Sequence, residues 1–376
     1  MATIYLDHQA TTPCDPAVVS AMAPYWSELF ANPSSRSHRP GLEAAAAVEQ
    51  ARSNLARQLG VAPEQVVFTS GATEANNLAI KGLVEARRQR GRHLITLATE
   101  HRAVLEPLRY LAGHGFDLTV LPVRRDGLVD LNQFSEALRD DTLLVCVMAA
   151  NNEIGVLQPL DAIRELCLGR GIALHSDGAQ IFGNRPFSPG KLGLDLFSLS
   201  GHKIYGPKGI GALVLAEGMI LAPQQHGGGQ EGGLRGGTLP VPLIVGLQRA
   251  AELASRDREA RLERLGGLRD QLLVGLLELG GVRVNGSLEH RLAHNLNVHL
   301  EGVDGTQLHR SLRRQLAVSG GSACSSGSPS HVLAALGLTP AEAAASIRFG
   351  LGRSTTSEEI HQAVEVVAGV LRELRR

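Results

Sequence analysis

Short, nearly unbroken apolar runs of four to six residues recur along the first part of the chain, each followed by a polar or glycine-containing turn. Residues 66–69, 93–97, 118–121, 143–148, 172–175, 194–199 and 210–215 read as strands on this pattern, since a strand covered on both faces needs no polar alternation. Between several of them the apolar positions return at helical spacing. Residues 41–59 form an alanine-rich helix, and Gly60 stands where a left-handed cap would close it. Residues 72–84, 103–113 and 160–170 read as further helices. Strands alternating with helices predict an α/β fold with a mostly parallel, doubly wound sheet. Ligands of such sheets sit beyond the carboxyl ends of the strands.

The texture changes after the glycine-rich stretch 227–237. A long helical region, 244–279, leads into strands near 282–284 and 295–299, and an amphipathic helix over 358–372 closes the chain. This predicts a large domain over residues 15–245. A smaller α/β domain takes residues 1–14 and 246–376. No internal repeat is visible.

Composition narrows the function. Lys+Arg and Asp+Glu both total 37 in 376 residues, so no net field favours nucleic acid or an anionic membrane. No apolar run approaches the ~20 residues of a membrane span. The N-terminus lacks a basic start and a signal-like apolar stretch. The four cysteines, at 14, 146, 167 and 324, form no C-x-x-C pair, which argues against a metal site or a disulfide framework. A soluble, cytoplasmic protein is the expectation.

Candidate chemistry gathers at the strand ends. Ser200-Gly201-His202-Lys203 follows the run 194–199. A lysine held there beside a hydroxyl and an imidazole can lose its proton and attack a carbonyl, as Schiff-base enzymes do when they hold pyridoxal phosphate. Ser70-Gly71-Ala72-Thr73-Glu74 opens a helix whose N–H groups suit a phosphate, although Ser70 and Thr73 would serve equally well as caps. Other strand ends carry Glu100-His101, Asn151-Asn152-Glu153 and Asp177-Gly178-Ala179-Gln180. A carboxylate such as Asp177 can accept the proton of a pyridine nitrogen, Gln180 or Asn152 can bond a phenolic oxygen, and His101 can lie against a ring. Arg348 suits a substrate carboxylate or a structural ion pair equally. Cys324 lies among small polar residues, 319–329, with no periodic apolar partners, so its thiol is expected to be exposed and used.

Taken together, five motifs make the chain resemble the cysteine desulfurases, in the NifS/IscS-like group I of the class V aminotransferase fold. They are Ser200–Lys203 with Ile204-Tyr205-Gly206-Pro207, Ser70–Glu74, Ala10-Thr11-Thr12-Pro13, Arg235-Gly236-Gly237-Thr238 and Gly321-Ser322-Ala323-Cys324. The likeness runs from Tyr5 to about Arg372. It implies a fold type I, pyridoxal 5'-phosphate (PLP)-dependent enzyme that converts L-cysteine to L-alanine. Lys203 would tether the cofactor. Ala72, Thr73, Ser200 and His202 would bind its phosphate, with Thr238 supplied by the other protomer of a homodimer. Asp177 would pair with the pyridine nitrogen, Gln180 and Asn152 would hold the ring, and His101 would stack on it and assist proton transfer. Arg348, with Asn152, would hold the substrate, and Cys324 would take the sulfur as a persulfide for a sulfur-acceptor protein such as an iron–sulfur scaffold.

Three departures qualify the resemblance. The loop between Cys324 and Val332 is about two residues shorter than the family's, and the chain ends at Arg376 without the extension many relatives use to dock a scaffold. Gly178 stands where alanine is typical. The alternatives on the same fold are a selenocysteine or cystine lyase, or another class V aminotransferase. A nicotinamide dehydrogenase is disfavoured, because no G-x-G-x-x-G follows an early strand.

Overall fold

The computed structural model describes residues 3–320 and 330–376. Its centre is a seven-stranded sheet of β1 (Val66–Thr69), β2 (His93–Leu97), β3 (Asp117–Leu121), β4 (Thr142–Cys146), β5 (Ala173–Asp177), β6 (Leu196–Ser200) and β7 (Gly211–Leu215). The spatial order is β1-β7-β6-β5-β4-β2-β3. Only β7 runs against the others, pairing antiparallel with β1 and β6. The reason lies in the connection. Residues 201–210 are too few for a helical crossover, which a parallel neighbour would need.

Six of these strands are buried along their whole length, and successive residues feed opposite cores. Ile95, Val145, Phe197 and Val214 join one cluster, with α1 (Arg39–Leu59) packed over it. Leu94, Leu144, Leu196 and Leu213 join the other, under α2 (Ala72–Arg87) and α3 (Arg102–Ala112). Both faces are therefore covered, as the uninterrupted apolar runs require. Gly60 closes α1 at φ 71°.

A separate core joins Ile4 and Leu6 to residues beyond 265. The expected long helical region is two helices, α4 (Val241–Arg256) and α5 (Arg258–Leu277), broken at Asp257. A three-stranded antiparallel sheet of β8 (Val282–Val284), β9 (Asn295–Leu300) and β10 (Ser346–Gly350) follows, in the order β10-β9-β8. The last helix is α6 (Ser357–Leu374). Residues 4–5 pair in parallel with residues 316–317, which carries the following segment, Asp7–Thr12, towards the carboxyl edge of the central sheet.

Candidate active site

Because β1, β2, β4, β5 and β6 are parallel, the polar residues that follow them converge on one edge. A cavity of about 450 Å³ opens there. His101, Asn152, Asp177, Gln180, Ser200, His202 and Lys203 all line it, as do Ala72 and Thr73 at the start of α2. Arg348 reaches it from β10. Two other clefts are larger, at about 560 and 710 Å³, but none of these residues lines either of them. Thr238 is exposed and lies outside the cavity of its own chain. Cys324 lies outside the described residues.

At the foot of the cavity α2 begins without a side-chain cap. Neither Ser70 nor Thr73 takes that role, so the cap reading of this motif fails. Ser70 N–H donates instead to Glu74 Oε2 (2.8 Å), and Glu74 is tied in turn by Arg235 (2.7 Å). Gly71 holds φ 149°, and a Cβ on Gly211 would sit 2.7 Å from Gly71 Cα. The β1–α2 turn can pass this close because Gly211 lacks a side chain, and Gly71 supplies the positive φ that the turn needs.

Lys203 lies in a one-turn 3-10 segment after β6. Its Nζ donates to the carbonyls of Gln9 (2.6 Å) and Ala10 (2.8 Å). The same N-terminal segment is laced to the turn elsewhere. Thr12 Oγ1 donates to His202 O (2.9 Å), Tyr205 N–H donates to Thr12 Oγ1 (2.8 Å), and His202 Nδ1 meets Thr11 Oγ1 at 3.1 Å. Burial and the ammonium groups of Lys203 and Lys208 push the His202 imidazole down to about 4. At neutral pH it is an uncharged ring.

Asp177 ends β5, 6% exposed. Its Oδ1 accepts from Ala179 N–H (2.9 Å) and its Oδ2 from Asn76 Nδ2 (2.8 Å). Beneath it, burial lowers His175 to about 4 and holds the carboxyl of Glu100 well above the ordinary carboxylate range. His101 caps α3, its Nδ1 accepting from Ala103 N–H at 3.1 Å. Gln180 Nε2 donates to Gln9 O (3.1 Å).

Arg348 is 1% exposed and largely committed. Its Nη2 donates to Asp7 Oδ1 (2.6 Å) and Ser319 Oγ (2.9 Å), and its Nη1 to Asn152 O (2.9 Å). The structural ion pair that the sequence left open thus exists, and Nε is the buried nitrogen left unpartnered. The Nη2–Nη1 edge of Arg348 is therefore no unoccupied fork.

Gly178 has a local cause. A Cβ there would run into the ring of Phe197 on the neighbouring strand β6. Gly178→Ala is expected to destabilise the fold by about 1–3 kcal/mol. Phe197→Leu added to it should recover most of that loss in urea unfolding. An unchanged midpoint for Gly178→Ala alone would refute the clash.

Three contributors escaped the sequence reading. Gln9 and Ala10 act through backbone carbonyls, which carry no residue-type signal. Asn76 stands one helical turn after Ala72, and that spacing was the available clue. Glu100 is visible at its strand end, but the rise of its carboxyl comes chiefly from burial, which the sequence does not show.

A strand-end lysine and a carboxylate that line one cavity at the carboxyl edge of a doubly wound sheet, beside a helix start, are the parts of a cofactor-dependent enzyme of the Schiff-base type. The family model described as aminotransferase class-V matches residues 4–363, and the chain belongs to that family. Within it, the chain is a NifS/IscS-like cysteine desulfurase by likeness across nearly its whole length. It is 49% identical to the cysteine desulfurase IscS of Photorhabdus laumondii subsp. laumondii, over 99% of this chain and 94% of the relative. A solved NifS-like protein superposes with a TM-score of 0.94 at 36% identity, covering 99% of this chain and 100% of that one. A structure described as SspA in complex with cysteine matches at TM-score 0.83 and 40% identity, covering 93% and 99%.

Enzymes of this group use PLP, and the residues here fit it. The uncapped start of α2 offers N–H groups to a phosphate. The buried Asn152 Oδ1 has no partner within the protein and lines the cavity. Asp177 supplies a carboxylate held by neutral donors.

Proposed function

We propose that the protein takes sulfur from L-cysteine with PLP carried on Lys203, releases L-alanine and passes the sulfur to Cys324. The observation that carries this reading is the meeting of Lys203, Asp177 and the uncapped start of α2 in one cavity. When bound, the cofactor supplies an electron sink joined to the substrate's α-carbon.

The chain's own groups divide the remaining work. Thr73, Ser200 and the neutral His202 would hold the phosphate with the first N–H groups of α2. Asp177 would keep a proton on the ring nitrogen, while Asn152 and Gln180 would orient the ring. Lys203 Nζ is the group to carry the α-proton, since the carbonyls of Gln9 and Ala10 fix where that nitrogen rests. Arg348 would hold the substrate carboxylate through Nε. His101 would stack on the ring. Its Nδ1 is engaged in capping α3, so a proton it donates would leave from Nε2. The thiolate of Cys324 would take the sulfur, leaving a persulfide that an acceptor protein, such as an iron–sulfur scaffold, then relieves.

In this reading the enzyme works as a cytoplasmic homodimer. Thr238, exposed and outside its own cavity, would serve the partner's phosphate. The exposed side chains of Trp26 (61%) and Phe30 (73%) suit burial against a second copy. Cys146 and Cys167 are buried single thiols, which supports a reducing compartment.

Incubating the purified protein with L-cysteine and PLP, without reductant, should add one sulfur atom to the Cys324 peptide in a mass spectrum, with alanine formed in equal amount. A selenocysteine or cystine lyase has no such requirement. Sulfide release from L-cysteine at an undiminished rate in Cys324→Ser would refute the persulfide route.

A further inference from the structure

Asn76 is a fully buried amide that the reaction as described does not use. It lies on α2 one turn beyond Ala72, a rise of roughly 6 Å along the helix. Its Nδ2 donates to Asp177 Oδ2 at 2.8 Å, while its own Oδ1 is buried without a protein partner. Burying an amide only half satisfied costs stability, so packing alone does not account for an asparagine there. A leucine would fill much the same space without an unpaired polar atom.

The geometry gives the amide a use. Asp177 receives one neutral donor at each oxygen, from Asn76 and from Ala179 N–H. Two bonds in different directions fix the plane of the carboxylate, and the remaining lone pairs are left for the cavity that Asp177 lines. Asn76 also belongs to the helix whose first turn faces the same cavity through Ala72 and Thr73. One rigid element thus holds both ends of the cofactor site.

We propose that Asn76 is a positioning residue: through α2 it sets the orientation of Asp177 relative to the phosphate cradle, and so how firmly the ring nitrogen keeps its proton. The inference rests on the reading of Lys203 and Asp177 as the PLP site. Its influence is exerted through Asp177 and not on the substrate.

The test compares Asn76→Leu with the parent protein, each loaded with PLP labelled with nitrogen-15 in the ring. The expected result is a ring-nitrogen signal displaced towards the unprotonated pyridine, with cofactor held about tenfold more weakly in dialysis, the scale of one lost hydrogen bond to a charged group. In an Asp177→Asn background the same replacement should add less than about twofold, since groups in one network do not act independently. Asn76→Ser, too short to reach Asp177, provides the same readout if the leucine variant does not fold. An unmoved nitrogen signal in a variant that still carries the cofactor, or full additivity with Asp177→Asn, would overturn the positioning role. Failure of the parent protein to bind PLP at Lys203, seen as no borohydride-fixed adduct, would overturn the underlying reading and the inference with it.

Discussion

Lys203→Ala is expected to lower turnover of L-cysteine by at least ~10³-fold, because it removes both the tether and the base from one position. The alanine variant also strips the carbonyls of Gln9 and Ala10 of a shared donor, so its loss mixes chemistry with local disorder. Lys203→Arg separates the two. An arginine keeps the charge and can still donate to both carbonyls, yet its guanidinium stays protonated at any pH the protein survives. It should therefore fold with a thermal midpoint close to that of the parent and remain as inactive as the alanine variant. Borohydride should fix PLP to the parent protein and to neither variant. Activity above about a tenth of the parent level in Lys203→Arg would remove Lys203 from the proton-transfer role, since a group with no accessible neutral form cannot act as a general base.

The two variants bracket what the lysine does, and they also show why its surroundings were invisible in the sequence. Ser200–Lys203 announced itself through a lysine at the end of a buried run. The donors' destinations did not, because they are main-chain carbonyls more than 190 positions away. Strands β1 and β2 fall on the residues their apolar runs predict, since a buried strand must be apolar from end to end. Strand β10 went unrecognised. It is equally buried, yet it carries Arg348 at its centre and follows an alanine-rich segment of helical character. Its arginine is tolerated there because Asp7, Ser319 and Asn152 satisfy the guanidinium, and all three come from elsewhere in the chain. The break between α4 and α5 at Asp257 has no glycine or proline to mark it, so the helical pattern reads straight through.

The same distinction separates the legible part of the site from the rest. Residues at the ends of parallel strands meet because the topology compels it, so His101, Asn152, Asp177 and Lys203 could be grouped from the strand pattern alone. Protonation states could not be read that way. Glu100 reads in the sequence as an ordinary acid at a strand end, yet its burial in the fold raises its carboxyl well above the usual carboxylate range. Gly178 was visible as an oddity, but its partner Phe197 lies on the adjacent strand and only the packing connects them.

Arg348→Ala should produce the second large effect, and in two measurable parts. The first is stability. The buried Arg348 pairs with the half-buried Asp7 at 2.6 Å, so removing the arginine should cost less than the loss of a fully buried pair, up to about 3 kcal/mol. The second is substrate capture. If Nε holds the substrate carboxylate, kcat/KM for L-cysteine should fall about a hundredfold or more, the scale of a truncated hydrogen-bonded charge pair. Asp7→Asn distinguishes them, because it weakens the same ion pair while leaving the guanidinium in place. That variant should lose stability in urea unfolding yet keep KM within about threefold of the parent, since Ser319 Oγ and Asn152 O still hold Arg348 at Nη2 and Nη1. Parallel losses of kcat/KM in Asp7→Asn and Arg348→Ala would make Arg348 a strut for the cavity wall, and the substrate carboxylate would then need another cation. A loss confined to Arg348→Ala places the charge at the substrate, since the bonds to Asp7, Ser319 and Asn152 O use three of the five guanidinium N–H groups.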